Sequence, residues 1–447
     1  MSISSSSRPP APTLDPPAAE PNPAEIRRSL LFIAYAAFIT TLAQDKVLGN
    51  LPIRLWLKNH LHVGMSELAG FTFWAGLAWY LKPIFGLVVD AFPLLGTRRR
   101  SYMILSAILG AASWMVVSLG QGSYGAFLGG TILLGIFMVF GSTIMGALLV
   151  EAGQKYGATG RVSAVREVVQ NGCYIITGPI GGFLAGKAFG LTAGIGAGLL
   201  LSLAAVAYVY LPEKPVAQRN EHVWSDAGNQ LKIVFASRTL WAAAGLIVLF
   251  FFSPGFTTPL LYRQQNMLKF SDQFLGTLTL VDGIALVAGG ALYGLICRRF
   301  ELRTLLMVGI VCYGGSALLY LGYHPNHAGA IEIEILAQFL QGVGVLPLYD
   351  LATRATPRGG EGMGYALMMS ARNIALFGAD WVGSKLLEKH LAWDALVWLN
   401  AGTTLVCLLL VPFLPRVLMR KREGEDMSEP EVTGEQISAI EPGPHAP

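Results

Sequence analysis

Stretches of about 20 mostly apolar residues, long enough to cross a bilayer as a helix, recur along nearly the whole chain. No other feature restricts the fold as much, because only helices and closed barrels satisfy their own backbone in lipid. Barrel strands alternate in polarity over about 10 residues, whereas these runs are longer and continuous. The pattern therefore predicts an all-α integral membrane protein. It places twelve transmembrane helices at 29–57, 67–90, 101–120, 124–150, 162–186, 189–211, 239–262, 273–297, 303–323, 331–355, 362–388 and 393–415. Composition agrees. Of 447 residues 53% are hydrophobic and 13% charged, about half the charge of a soluble domain, so lipid must face much of the surface.

Lysine and arginine in short loops set orientation. With the N-terminus in the cytosol, the cytosolic side carries Arg27, Arg28, Arg98 to Arg100, Arg161, Arg238, Arg298, Arg299, Arg303, Arg354 and Arg416, among others. The far side holds little beyond Lys58, Lys187, Arg263, Lys269 and Lys389. Both termini are thus expected in the cytosol of a cell bounded by an inner membrane. Residues 1–28 and the acidic segment 416–447 read as disordered cytosolic tails. The polar stretch 212–238 separates a six-helix half at 29–211 from a second at 239–415, and an amphipathic helix from about Trp224 to Phe235 is expected to lie on the membrane surface.

The halves resemble each other weakly. Gly86, four residues before Asp90, matches Gly294, four residues before Arg298, at an offset of 208. Arg166 in Ser-Ala-Val-Arg matches Arg372 in Ser-Ala-Arg at an offset of 206. Six-helix repeats around a midplane site describe the major facilitator architecture.

The end of the second span reads Lys82-Pro-Ile-Phe-Gly86-Leu-Val-Val-Asp90-Ala-Phe-Pro93-Leu-Leu-Gly96-Thr-Arg98-Arg99-Arg100-Ser-Tyr102. Gly86 suits close helix approach. Asp90 can pair with an arginine or cap a helix N-terminus. Pro93 and Gly96 suit a tight turn, and the arginine triplet suits anionic headgroups. Such a cluster can latch one state of a two-state bundle. Further on, Pro357, Glu361, Tyr365, Ser370 and Asn373 mark the entry of span eleven. Both segments resemble those of the folate–biopterin transporter family, a branch of the major facilitator superfamily. The resemblance implies secondary active transport of folate or pterin-type anions.

Charge at membrane depth points to function. Asp45 and Lys46 lie roughly 25 Å into span one at 1.5 Å per residue. They could form an ion pair at a kink near Gly49 and Pro52, or Asp45 could carry a proton or hold a pterin edge. Lys82 lies two turns inside Asp90. Arg166 and Arg372 could bind a carboxylate tail or brace helices. Asp282 is deep and lacks a local cation, and Trp74 could stack on an aromatic ring. Asp380 with Lys385 reads as a rim pair. Glu151, Asp350, Arg354 and Glu361 join Gly86, Asp90, Arg98, Arg99 and Arg100 as candidate gate residues, Asp350 and Arg354 at i,i+4 spacing.

The acidic residues suggest coupling to protons. A nucleotide-binding loop is absent, as are a nucleophile–base constellation, metal-ligand spacing and a basic nucleic-acid stripe, so no enzyme activity, cofactor, metal or nucleic-acid partner is expected. The four cysteines fall in apolar stretches and read as packing residues. The expected partners are a small organic anion, protons and the lipid bilayer, with the chain acting as a monomer. An exporter of another organic metabolite and a membrane assembly factor for pigment or cofactor complexes are the alternatives.

Overall fold

The computed structural model describes residues 23–97, 99–155, 159–211, 223–357, 360–415 and 419. Arg98, and the side chains of Asp90, Glu151, Arg166 and Glu361, lie outside the described residues. Every regular element is helical, apart from an isolated bridge between Leu94 and Thr97.

The first span is α1 (Pro23–Leu42) and α2 (Asn50–Asn59), parted at 43–49. The second is α3 (Met65–Ala75), α4 (Leu77–Tyr80) and α5 (Lys82–Ala91), jogged at Gly76 and Leu81. Four continuous spans follow: α6 (Arg100–Leu119), α7 (Tyr124–Lys155), α8 (Thr159–Ala185) and α9 (Phe189–Tyr210). The linker helix α10 (Val223–Ala236) meets α11 (Arg238–Phe251) at 74°. Span seven continues past a break at 252–256 as α12 (Thr257–Tyr262) and a π turn, Arg263–Met267. The remaining spans are α13 (Asp272–Ile296), α14 (Leu302–Leu318), α15 (His327–Ala355), α16 (Glu361–Glu388) and α17 (Trp393–Val406).

Among the described residues, seven helices are long and apolar enough to cross a membrane. The other five predicted spans are those interrupted by a break or jog, the fifth, and the eleventh, which carries Arg372, Asp380 and Lys385. They pass through the bundle because other helices cover their polar groups, as irregular backbone at membrane depth requires.

The two breaks show how. In span one the freed Ala43 carbonyl accepts a hydrogen bond from Trp114 Nε1 of α6 at 3.0 Å. A Cβ on Gly49 would sit 2.7 Å from the Asp45 carbonyl and 3.0 Å from the Trp114 ring, so only glycine fits that turn. In span seven, Asn400 of α17 donates to the Pro254 carbonyl at 2.9 Å, and the Gly255 amide donates to Ala379 of α16 at 2.9 Å. Pro52 and Pro259 open the helices after the breaks at an offset of 207, a third mark of the repeat beside the 206 and 208 of the sequence pairs. Trp114→Phe keeps the ring and removes the donor. It is expected to lower stability by about 1–3 kcal/mol through the orphaned carbonyl, read as a lower melting temperature in detergent; unchanged melting would show that the indole N–H does not hold the break.

The fold groups spans one to six and seven to twelve. In the first group α6 packs between α7 and α9, and in the second α15 packs between α13 and α14. The groups meet along two seams, α8 on α13 and α3 on α16. Glycines bring the first seam to backbone contact: a Cβ on Gly276 would lie 2.6 Å from the Gly178 carbonyl and 2.8 Å from Gly182 Cα. This contact lies toward the face opposite the arginines. That face is tied further by Glu388 Oε1, which accepts from the Ser66 amide at 2.8 Å, by Lys58 donating to Asn266 at 2.7 Å, and by Tyr262 donating to the Val63 carbonyl.

Candidate functional site

Between the halves lies a cavity of about 410 Å3, a volume typical of small-molecule sites. Both broken spans line it, and span one supplies two cations. Lys46, in the break of span one, enters its wall, and its ammonium sits 4.0 Å from the centre of the Phe377 ring. Arg54, on α2, lines the wall and donates to Thr258 Oγ1 at 3.1 Å. Thr258 in turn gives its amide to Asp380 Oδ1 at 2.9 Å and its hydroxyl to Oδ2 at 2.6 Å. Arg54, Thr258 and Asp380 thus join spans one, seven and eleven across the halves.

Asp380 therefore does not pair with Lys385 as the sequence suggested. The Lys385 ammonium lies 4.0 Å from the Trp381 ring centre, while the carboxylate turns inward to satisfy the N-terminal turn of α12, where freed amides attract an anion.

The opposite wall is acidic. Asp282 of α13 and Glu334 of α15 both line it, close enough for the two carboxyls to interact electrostatically. Glu334 is buried and heavily served: it accepts from Tyr320 Oη at 2.6 Å, Tyr323 Oη at 2.9 Å and Gln264 Nε2 at 3.4 Å. Asp282 Oδ1 is buried with no hydrogen-bond partner.

The candidates from the sequence divide. Lys46 and Asp282 line the cavity. Asp45 lies behind Lys46, 5% exposed, with Oδ1 unpartnered. Arg372 lies close enough to Lys46 for the two cations to repel. Its guanidinium stacks on Phe251 at 4.5 Å and bonds Asn373 at 2.8 Å, leaving Nε buried without a partner. Lys82 and Trp74 lie outside the cavity wall. The Lys82 ammonium bonds Ser142 of α7 at 3.0 Å, and Trp74 is 46% exposed and edge-on to Phe73.

At the arginine-rich face, Arg354 grips Asp350 with two bonds of 2.8 and 2.9 Å, and Tyr293 of α13 donates to the same carboxylate at 3.3 Å. Gly96 takes φ +78° in the turn between Leu94 and Thr97, a conformation that favours glycine. Arg99 occupies the N-cap position of α6, and Arg100 bonds the Tyr208 carbonyl of α9 at 2.7 Å. The close approach anticipated at Gly86 is absent, since a Cβ there would meet Thr143 at an ordinary 3.7 Å.

Sequence reasoning missed Glu334, Arg54, Gln264 and Gln338. Glu334 sits near the start of a predicted span beside Glu332 and so reads as interfacial. The helix in fact begins at His327, which carries Glu334 two turns inward while Glu332 stays exposed.

Residues 45–436 match the model of the BT1 family. The chain is 27% identical over 416 residues to a folate–biopterin transporter of Synechocystis sp. (86% of this chain, 81% of that protein). It is 23% identical over 369 residues to folate transporter 1 of Plasmodium falciparum (78% and 72%). Among solved structures, the nucleoside transporter NupG superposes with a TM-score of 0.69 at 13% identity, covering 87% of this chain and 98% of that one. The D-xylose–proton symporter superposes with a TM-score of 0.62 at 14% identity (87% and 97%). The twelve spans in two six-helix halves are thus the major facilitator fold; the chain belongs to the BT1 family and is a multi-pass membrane transporter, not an enzyme.

Proposed function

We propose that this protein moves folate or pterin-type organic anions by alternating access, coupled to protons, as a monomer in an inner membrane with both termini cytosolic. The observation that carries the reading is the polarity of the cavity. Lys46 and Arg54, both carried by span one, line the cavity where the halves meet, with Arg372 near Lys46, and the carboxyl pair Asp282 and Glu334 lines the same cavity. A folate carries both complements: a carboxylate tail for cations and an aminopyrimidine edge that can share two hydrogen bonds with a carboxylate. Buried carboxyls at membrane depth are the usual carriers of protons in transporters, which suits this pair. The halves 29–211 and 239–415 would rock about the cavity, with 212–238 as the tether. Asp350 with Arg354, the loop from Gly86 to Arg100, and the remaining candidates Asp90, Glu151 and Glu361 would act at the arginine-rich gate, while Arg166 would help bind the substrate's carboxylate tail.

The test is thermal stabilisation of the purified protein by a panel of folates, pterins and unrelated organic anions, since a ligand of the folded state raises stability with the logarithm of its excess over Kd. Folate is expected to raise melting, and Lys46→Gln to weaken folate roughly tenfold or more, the loss of one charge-assisted hydrogen bond. Stabilisation by other anions alone would overturn the substrate class.

A further inference from the structure

A second concavity lies on the outside of the bundle, at the arginine-rich ends of α1 and α9. Its volume is about 680 Å3, and none of its lining residues borders the central cavity. The rim is basic: Arg27 and Arg28 are both exposed, and the Arg28 guanidinium lies 5.1 Å from the Tyr210 ring centre. The wall below is apolar, with Leu31 61% exposed beside Phe32 and Val206. Tyr35, which lines the groove, has its hydroxyl 2.6 Å from Ser202 Oγ, a bond that pins α1 to α9. Two residues before Tyr210 on α9, the Tyr208 carbonyl accepts from Arg100, whose guanidinium lies 5.0 Å from the Tyr208 ring centre.

One kind of occupant satisfies both parts. A small anion would pair with the guanidiniums and leave the apolar wall wet. A neutral lipid would cover the wall and leave the guanidiniums unpaired. A phosphodiester on an acyl chain does both, with the planar forks of arginine matched to phosphate oxygens and the tyrosines at headgroup depth. Basic pockets between spans on one face are the usual setting for such headgroups. We propose that this groove is a specific site for one anionic phospholipid, which staples span one to span six and so steadies the helix that carries the Asp45–Lys46 break.

The test uses the full chain in nanodiscs of phosphatidylcholine with or without phosphatidylglycerol, with retained lipids counted by native mass spectrometry. One phosphatidylglycerol is expected to remain bound per chain in preference to phosphatidylcholine. Arg27→Gln with Arg28→Gln is expected to weaken that adduct about thirtyfold, the electrostatic share of two arginines near a headgroup. Arg299→Gln with Arg303→Gln removes equal charge from exposed sites on the same face and is expected to keep the adduct. Equal loss in both double variants would mean diffuse attraction of headgroups and would overturn the site. So would equal retention of phosphatidylcholine, or displacement of the lipid by millimolar glycerol phosphate alone. Folate stabilisation measured on the same samples reports whether the variants fold, separately from lipid binding.

Discussion

Asp282→Asn is expected to abolish the pH dependence of uptake while leaving substrate exchange measurable. The reason is the division of labour within the carboxyl pair. Glu334 already receives two tyrosine hydroxyls and an amide, enough to support it as an anion. Asp282 Oδ1 receives nothing, which makes Asp282 the group free to take up and release a proton as the cavity changes sides. Asparagine keeps the size, but it cannot take up or release a proton. With no group there to carry a proton, concentrative uptake driven by a proton gradient should fall to the level seen without the gradient. Counterflow of labelled folate between preloaded vesicles needs no net proton movement and should fall far less. A variant whose uptake still rises on external acidification would remove Asp282 from the coupling. Loss of both activities in parallel would move it to substrate binding or folding.

The bundle was legible in the sequence because lipid imposes a length and a polarity on every span, and the two halves because duplication left pairs such as Gly86 with Gly294 in register. The site was only partly legible. Lys46 and Asp282 stand out because an isolated charge in an apolar run has few structural uses. Arg54 and Glu334 did not stand out, because charges near the ends of apolar windows ordinarily face water. Here a broken span and an early helix start carry them inside. Trp74 failed as a stacking candidate on direction: a helix presents each side chain to one side only, and hydropathy does not tell the lipid side from the cavity side when both tolerate tryptophan. Asp380 was misread for a related reason. Its neighbour in sequence is Lys385, but its partner in space is the first turn of α12, which exists only because span seven breaks. The glycines of the α8–α13 seam carried a signal of their own, since Gly178 and Gly182 have the four-residue spacing that lets helices in membranes touch backbone to backbone.

That seam gives the second large effect, Gly276→Ala. The added methyl would lie 2.6 Å from the Gly178 carbonyl oxygen, 2.8 Å from Gly182 Cα and 3.0 Å from its nitrogen. All three are backbone atoms, so no side chain can turn aside, and α8 and α13 must separate. Separation at this point opens the face opposite the arginines, the motion that alternating access requires of the two halves. The substitution should therefore shift the balance between states more than it unfolds the protein. Overpacking of this kind costs about 1–3 kcal/mol, which moves a two-state equilibrium by roughly 5- to 150-fold. Spin labels at His62→Cys and Lys389→Cys, both exposed on that face and in different halves, should show a longer-distance population that grows in Gly276→Ala, and steady-state uptake should fall as the closed state becomes harder to reach. Gly402→Ala, where a methyl meets nothing within 4 Å, controls for the loss of a glycine in a span and should leave both readouts unchanged. If the distance distribution of Gly276→Ala matches that of the parent while the protein remains folded, the glycine seam is a static weld, and the opening of that face must be sought along α3 and α16 instead.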